Sequence, residues 1–155
     1  MGPKQPNERG EWCALAIFPK IPWPESEFCQ LYRGHKLWFI PSSDNKYPMV
    51  AIECSEAGVS SDEGYRILRQ CLSSLVWAHS GGVSIEGSGG GSFAYRWEMP
   101  TGQSLIKSMH PVHLDYFPEP ECDSAKLGLA LYREALETSN PAYQVLGFFK
   151  IINIL

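Results

Sequence analysis

Two histidines and an aspartate lie close together in the segment HPVHLD, at positions 110, 113 and 115. Imidazole nitrogens and a carboxylate form the ligand set of many zinc and non-haem iron sites, so His110, His113 and Asp115 are a candidate metal site. Their H-x-x-H-x-D spacing differs from the i, i+4 histidine pair with which a helix binds one ion. Pro111 lies between the histidines and favours a loop. The alternative, polar residues in a connector, is therefore favoured, and no cofactor is predicted.

A glycine-rich run, EGSGGGS at residues 86–92, could cradle an anion with consecutive backbone N–H groups. A phosphate loop also needs a lysine and a following helix, whereas the next residues here, SFAYRW, are typical of a strand. We therefore predict two short strands within residues 83–99, joined by a flexible glycine-rich connection. The likeness of this run to a synthetic Gly/Ser linker leaves engineering open.

Nucleophilic catalysis would need a serine or cysteine beside a histidine, together with an oxyanion hole. No G-x-S-x-G motif is present. Cys71 lies on the apolar stripe of a predicted helix, where burial makes a thiol inert, and His79 is predicted to interact with the dipole at the end of that helix. Arg133 and Glu137 are predicted to form an i, i+4 ion pair. No catalytic residue is predicted, and the non-enzymatic interpretation is favoured.

The composition excludes several classes of protein. Hydrophobic residues make up 44% and charged residues 19% of the 155 residues, as in folded globular chains. A net charge of −4 argues against a basic face that binds nucleic acid. No segment reaches the roughly 18 to 20 apolar residues of a membrane span, and the first residues lack a signal-peptide pattern. Five cysteines without a C-x-x-C pair favour reduced thiols and a cytoplasmic protein.

The first half of the chain predicts a sheet and a helix. Strands are expected at residues 12–20, 28–33, 36–41 and 47–55, and Gly34 suits the tight turn between the second and third strands. Ser60 and Glu63 have the spacing of a capping box at the start of the helix. Gly81 and Gly82 are expected to provide its C-cap and a turn. An apolar stripe at helical spacing predicts that this helix packs on the sheet.

Two further helices are predicted near the C-terminus. Asp123 or Ser124 caps the first, which runs to about Thr138, while Asn140 caps the second and Pro141 occupies its first position. The predicted fold is therefore α+β: a small, mostly antiparallel sheet with one packed helix, followed by a C-terminal two-helix hairpin.

The predicted organisation has four parts. They are a disordered N-terminus at 1–10, a sheet domain at 11–110, a connector at 111–122 and a helical hairpin at 123–155. The hairpin could instead form one compact domain with residues 11–110.

The last helix carries large apolar side chains in the segment NPAYQVLGFFKIINIL. Burying about six of them would contribute on the order of 9 to 18 kcal/mol before entropy is counted, so a covering surface is needed. Either the sheet of the same chain or another polypeptide could supply it. We favour the second and predict a protein partner or a homo-oligomer. The predicted interface residues are Tyr143, Val145, Phe148, Phe149, Ile152 and Leu155.

The segments LRQCLSSLVWAHSGGVSIEG (68–87) and LALYREALETSNPAYQVLGFFKIINIL (129–155) resemble a bacterial group of unknown function, the methylamine-utilisation protein J-like (MauJ-like) proteins. Members carry an A-L-Y-R-E-A and N-P-x-Y helix pair after a β-rich region. The resemblance implies that the two helices open a larger domain of HEPN style, a helical class of ribonucleases and non-catalytic RNA or protein binders. It also implies a chain truncated at Leu155, without any Arg/His nuclease motif on later helices.

Three functional hypotheses follow. The first is a non-enzymatic protein-interaction module that oligomerises or docks on a partner through its apolar C-terminal helices. The second is an enzyme or nucleic-acid processing component, HEPN-related or metal-dependent, whose site lies near His110, His113 and Asp115 or is completed by a partner. The third is a phage or mobile-element inhibitor that acts by binding. Light scattering and metal analysis distinguish the first two.

Overall fold

The computed structural model describes residues 11–92, 96–103, 105 and 118–154. Five strands form one antiparallel sheet in the order β2-β3-β4-β1-β5. The strands are β1 Trp12–Pro19, β2 Phe28–Tyr32, β3 His35–Ile40, β4 Met49–Glu53 and β5 Val83–Gly91. The helices are α1 Cys54–Ala57, α2 Ser61–His79, α3 Asp123–Glu137 and α4 Pro141–Ile152. The predicted α+β fold with a C-terminal helix pair is confirmed.

The local signals for the first strands and for α2 are found where the sequence predicts them. Gly34 has a positive φ of 79° in the turn between β2 and β3, and Arg33 beside it has a φ of 52°. At the start of α2, the Ser60 hydroxyl accepts a hydrogen bond from the backbone N–H of Glu63 at 3.3 Å. The Glu63 carboxylate pairs with Arg66. Of the predicted capping box, Ser60 therefore caps the helix as expected, while the Glu63 side chain forms an ion pair with Arg66, three residues further along the helix.

Helix α2 covers one face of the sheet and forms the main core with it. Because side chains alternate along a strand, Leu15 and Ile17 of β1 point to this core, whereas Trp12 and Ala14 belong to a smaller cluster on the opposite face. Each of these four side chains is at most 2% exposed. The predicted packing of the helix on the sheet is confirmed.

The end of α2 differs from the prediction. Its C-cap is Ser80, which adopts the left-handed conformation with a φ of 52°. A Cβ at Gly81 would lie 2.4 Å from Ile21 Cγ2, and a Cβ at Gly82 would lie 3.0 Å from the carbonyl oxygen of Leu136. These two glycines therefore allow neighbouring segments to approach closely, and the turn itself is made by a serine.

The glycine-rich run is part of a strand, so the predicted flexible connection is wrong over residues 86–91. Strand β5 crosses it and pairs antiparallel with β1. The indole of Trp97 lies over this strand: a Cβ at Gly87 or at Gly89 would come within 2.8 Å of its ring atoms. A Cβ at Gly90 would lie 1.8 Å from the carbonyl oxygen of Trp12. Glycine is needed here because the strand is packed closely on two sides.

Candidate interaction surface

The C-terminal helices are attached to the rest of the fold through α3, which packs on α2. Tyr132 and Leu136 of α3 join the main hydrophobic core. The ring of Tyr132 also meets Trp77 of α2 edge to face, with centroids 5.0 Å apart. Helix α3 thus packs on α2 and also contacts β5 of the sheet.

A buried arginine adds a polar connection between α2 and α3. Arg133 is 7% exposed, and its Nε donates a hydrogen bond to Ser73 Oγ at 3.2 Å. The Ser73 hydroxyl in turn donates to the backbone carbonyl of Arg69 at 3.0 Å. Arg133 Nη1 lies 3.6 Å from a carboxylate oxygen of Glu137, so the predicted i, i+4 pair is confirmed. The arginine is more than a surface ion-pair partner, because it fixes the position of α3 on α2.

Helix α4 packs chiefly against α3. Gly147 faces Ala135, and a Cβ added to this glycine would lie 2.8 Å from Ala135 Cβ. The rings of Phe148 and Tyr132 are 6.0 Å apart. At the start of α4, the Asn140 side chain accepts a hydrogen bond from the backbone N–H of Ala142 at 3.0 Å, which confirms the predicted N-cap. A small pair of residues therefore lets the two helices come together closely.

The outer face of α4 is apolar and exposed. No residue of α4 is buried. The exposed fractions range from 49% to 67% for five large side chains, Tyr143, Val145, Leu146, Phe149 and Ile152. The helix contains one charged residue, Lys150. We use the term outer face of α4 for these five side chains together with Ala142.

The predicted interface residues fall into three groups. Tyr143, Val145, Phe149 and Ile152 lie on the outer face of α4, whereas Phe148 is turned towards Tyr132 and contributes to packing within the hairpin. Leu155 lies outside the described residues. Two exposed leucines, Leu146 on α4 and Leu127 on α3, were missed by the sequence analysis, because composition alone did not show which side of each helix would meet the other.

The candidate metal ligands His110, His113 and Asp115 lie outside the described residues. Within the described ranges, no three His, Cys, Asp or Glu side chains are close enough to hold a metal ion. No helix in the described part of the chain is both long and apolar enough to cross a membrane.

Three clefts carry charged side chains, but their charges are largely compensated. Two adjoining clefts of about 240 and 310 Å³ share Lys36, Trp38, Glu53 and Glu56 at one side of the sheet. Lys36 Nζ is 2.7 Å from a carboxylate oxygen of Glu56. A third cleft of about 270 Å³ lies between α2 and α3 and is lined by four cations, Arg66, Arg69, Lys126 and Arg133, and by the carboxylates of Asp62 and Glu134. Three of the cations have an acidic partner, in the pairs Arg66–Glu63, Lys126–Asp123 and Arg133–Glu137. These clefts do not indicate a ligand of one charge.

Burial changes the protonation of several groups near the core. His79 lies in the last turn of α2 as predicted, but burial lowers its pKa and so disfavours the cation that would interact with the helix dipole. Burial raises the pKa of Cys71 well above its usual value. Burial, followed by the hydrogen bond with Cys13, raises the pKa of Cys54 to about 12. The predicted inertness of buried thiols fits this arrangement.

We expect Cys122 to be the thiol that reacts fastest with a disulfide reagent at neutral pH. It is exposed at the N-cap of α3, and its hydrogen bond with Ser124, at 3.3 Å, lowers its pKa. Cys29 is also exposed, but burial of its sulfur raises its pKa. Stopped-flow absorbance should show one fast phase that Cys122→Ser removes and Cys29→Ser leaves intact. A fast phase that persists in Cys122→Ser would contradict this assignment.

The helix pair coincides with the region that is similar to a known family. The family model described as "Methylamine utilization protein MauJ" matches residues 128–155. The match supports the MauJ-like relationship for α3 and α4, and it does not extend to the upstream segment at residues 68–87. No curated protein and no solved structure matches the chain.

Proposed function

We propose that the protein is a non-enzymatic interaction module that oligomerises or docks on a partner through the outer face of α4. One observation carries this proposal: no residue of α4 is buried, although the helix is almost entirely apolar. Helix α4 packs on α3 and makes no comparable contact with any strand of the described sheet. The described residues thus leave the outer face open, which supports a cover from another polypeptide.

The energy involved is large enough to matter. Five large side chains that are about half to two-thirds exposed would gain on the order of 4 to 8 kcal/mol if a partner covered them, at about 1.5 to 3 kcal/mol for each complete burial. Contiguous apolar patches beyond a few hundred Å² are rare on monomeric soluble proteins and mark binding surfaces when they occur. This gain opposes the loss of rotational and translational freedom on association.

The chemistry of the face also limits the class of partner. Lys150 is the one charge on α4, and the whole chain has a net charge of −4, which favours a protein surface over nucleic acid. An exposed helix of this kind packs against another helix or lies in an apolar groove. A HEPN-style role for α3 and α4, as a non-catalytic binding pair in the cytoplasm, belongs to the same proposal.

The test compares the native protein with a variant whose outer face is charged, Phe149→Glu with Ile152→Lys. Both side chains are exposed, so the midpoint of thermal unfolding of the monomer should stay the same. We expect light scattering at micromolar concentration to give a larger mass for the native protein than for the variant. Otherwise, the native protein should bind more of a naphthalene-sulfonate dye, which binds to exposed apolar surface. Leu31→Glu is the matched control, because Leu31 is 60% exposed on β2, far from α4 in the chain.

Two results would overturn the proposed function. One is a native protein that equals the charged variant both in mass and in dye binding. The other is a variant that unfolds at a clearly lower temperature than Leu31→Glu, because these side chains would then be needed inside the fold.

A further inference from the structure

We propose that the cover of the outer face of α4 is a second copy of this chain, with the two α4 helices packed antiparallel about a twofold axis. This inference rests on the proposed function and adds the identity of the occupant and the register of the contact. Three observations carry it: the spacing of the exposed residues, the position of the charge and the size of the surface.

The exposed residues have the spacing of a coiled-coil seam. Ala142, Val145, Phe149 and Ile152 are separated by three, four and three residues, and all four are exposed. At about 100° per residue they share an arc of about 80° on the helix surface. Gly147 lies opposite this arc, where it meets α3. The seam therefore points away from α3, and among the described residues it is open to a partner helix.

The seam is also symmetric about its own centre. When two α4 helices run antiparallel with the twofold axis at residue 147, Val145 of one copy faces Phe149 of the other, and Ala142 faces Ile152. Each small side chain is thus opposite a larger one, and each contact occurs twice, as a twofold interface requires. The antiparallel arrangement also places the positive end of each helix dipole beside the negative end of its neighbour.

The charge does not oppose this pairing. Lys150 is the one charged residue of α4, and by helical spacing it lies about 120° from the middle of the seam. Neither copy therefore brings a charge into the centre of the contact, where like charges would repel each other. Lys150 remains at the polar rim that most interfaces have.

The area of the seam fits a weak dimer. Val145, Phe149 and Ile152, with Leu146 beside them, are 49% to 67% exposed and offer roughly 450 Å² on each copy. Tyr143 is left out of this area, because at about 100° per residue it lies about 140° from the middle of the seam. The total of roughly 900 Å² is above most crystal-packing contacts and within the range of weak, transient interfaces. We therefore expect a dimer with a dissociation constant in the micromolar range or above.

The register can be tested with complementary charges. Val145→Lys and Phe149→Glu should each raise the dissociation constant of the dimer by about tenfold or more, because a charge enters the apolar seam. Mixing the two variants should restore a dimer. In one contact the introduced lysine of the first variant then faces the introduced glutamate of the second, and in the other contact the native Phe149 and Val145 face each other. The measurement is mass by size-exclusion chromatography with light scattering over a range of concentrations.

A second mixture is the matched control. It combines the single variant Phe149→Glu with the single variant Ile152→Lys, which introduce the same charges as the first mixture. In this register residue 149 of one copy and residue 152 of the other are about two helical turns apart, so the two charges cannot pair and no dimer should return. Leu31→Glu should dimerise like the native protein, and circular dichroism should show that each variant is folded.

The possible outcomes separate the two proposals. A native protein that is monomeric at every concentration overturns the second-copy inference. If that monomer binds the naphthalene-sulfonate dye and the double variant of Phe149→Glu and Ile152→Lys does not, the result still supports an interaction module with another partner. A native dimer that both mixtures restore equally would show that the antiparallel register is wrong.

Discussion

Replacing Gly90 with alanine is expected to lower the free energy of unfolding by about 3 kcal/mol, at the upper end of the cost of overpacking. The added Cβ would lie 1.8 Å from the carbonyl oxygen of Trp12 and 2.9 Å from its carbonyl carbon. Both atoms belong to the backbone of β1, which cannot rotate away as a side chain would. Strand β5 must therefore move away from β1. Urea unfolding followed by tryptophan fluorescence measures the loss.

Gly128→Ala is the matched control for this substitution. Gly128 lies within α3, and a Cβ there would meet no atom within 4 Å. Alanine should raise the free energy of unfolding at this position by up to about 1 kcal/mol, because it costs less backbone entropy in a helix than glycine. If Gly90→Ala were as stable as the native protein, residues 86–91 would be a flexible connection after all.

The glycine-rich part of strand β5 was not predicted from the sequence, because the residues that stabilise it are distant from it in the chain. Glycine is poorly suited to strands by itself, since it has no side chain to pack. In β5 the missing side chains are replaced by the Trp97 indole, which lies against Gly87 and Gly89. An aromatic residue placed over strand glycines is a known means of stabilising them. The alternation of these glycines, followed by a tryptophan eight residues after the second, was the available signal.

Most features that depend on neighbouring residues were predicted well, although the N-cap of α3 is Cys122 and the predicted Asp123 or Ser124 was wrong. Ser60 and Asn140 each cap a helix, and Gly34 has the positive φ that its turn requires. Each of these roles is decided within a few residues, so the sequence contains the whole signal. The capping role expected of Gly81 was wrong because its glycine identity is set by Ile21, sixty residues earlier in the chain. The short helix α1 was also missed, because its four residues are too few to show a helical pattern of apolar residues.

The cover of the last helix was the main question that the sequence left open. In the structure α3 has apolar contacts on more than one side: Tyr132 and Leu136 face the core with α2, while Ala135 faces Gly147 of α4. Helix α4 therefore packs on α3 and not on the described sheet. Which elements α4 contacts depends on how the helices are arranged in space, which periodicity in single helices does not determine.

Arg133→Ala is expected to lower the free energy of unfolding by about 2 to 3 kcal/mol, the second large effect. The arginine side chain is 9% exposed, and its loss removes the hydrogen bond to Ser73 together with the contact to Glu137. Breaking a buried ion pair costs about 3 to 5 kcal/mol, and the 35% exposure of Glu137 places this pair below that range, since water can solvate the remaining carboxylate. Urea unfolding monitored by circular dichroism checks the value.

Two further variants separate the causes of this loss. Lys126→Ala removes an ion pair whose partner, Asp123, is 99% exposed, and it should cost less than about 1 kcal/mol. Arg133→Met keeps most of the aliphatic stem and removes the charge, so it should recover the part of the loss that comes from packing. A full recovery would show that the arginine acts through its stem alone. No recovery would assign the loss to the polar contacts, of which the one to Ser73 joins α3 to α2 and the one to Glu137 lies within α3.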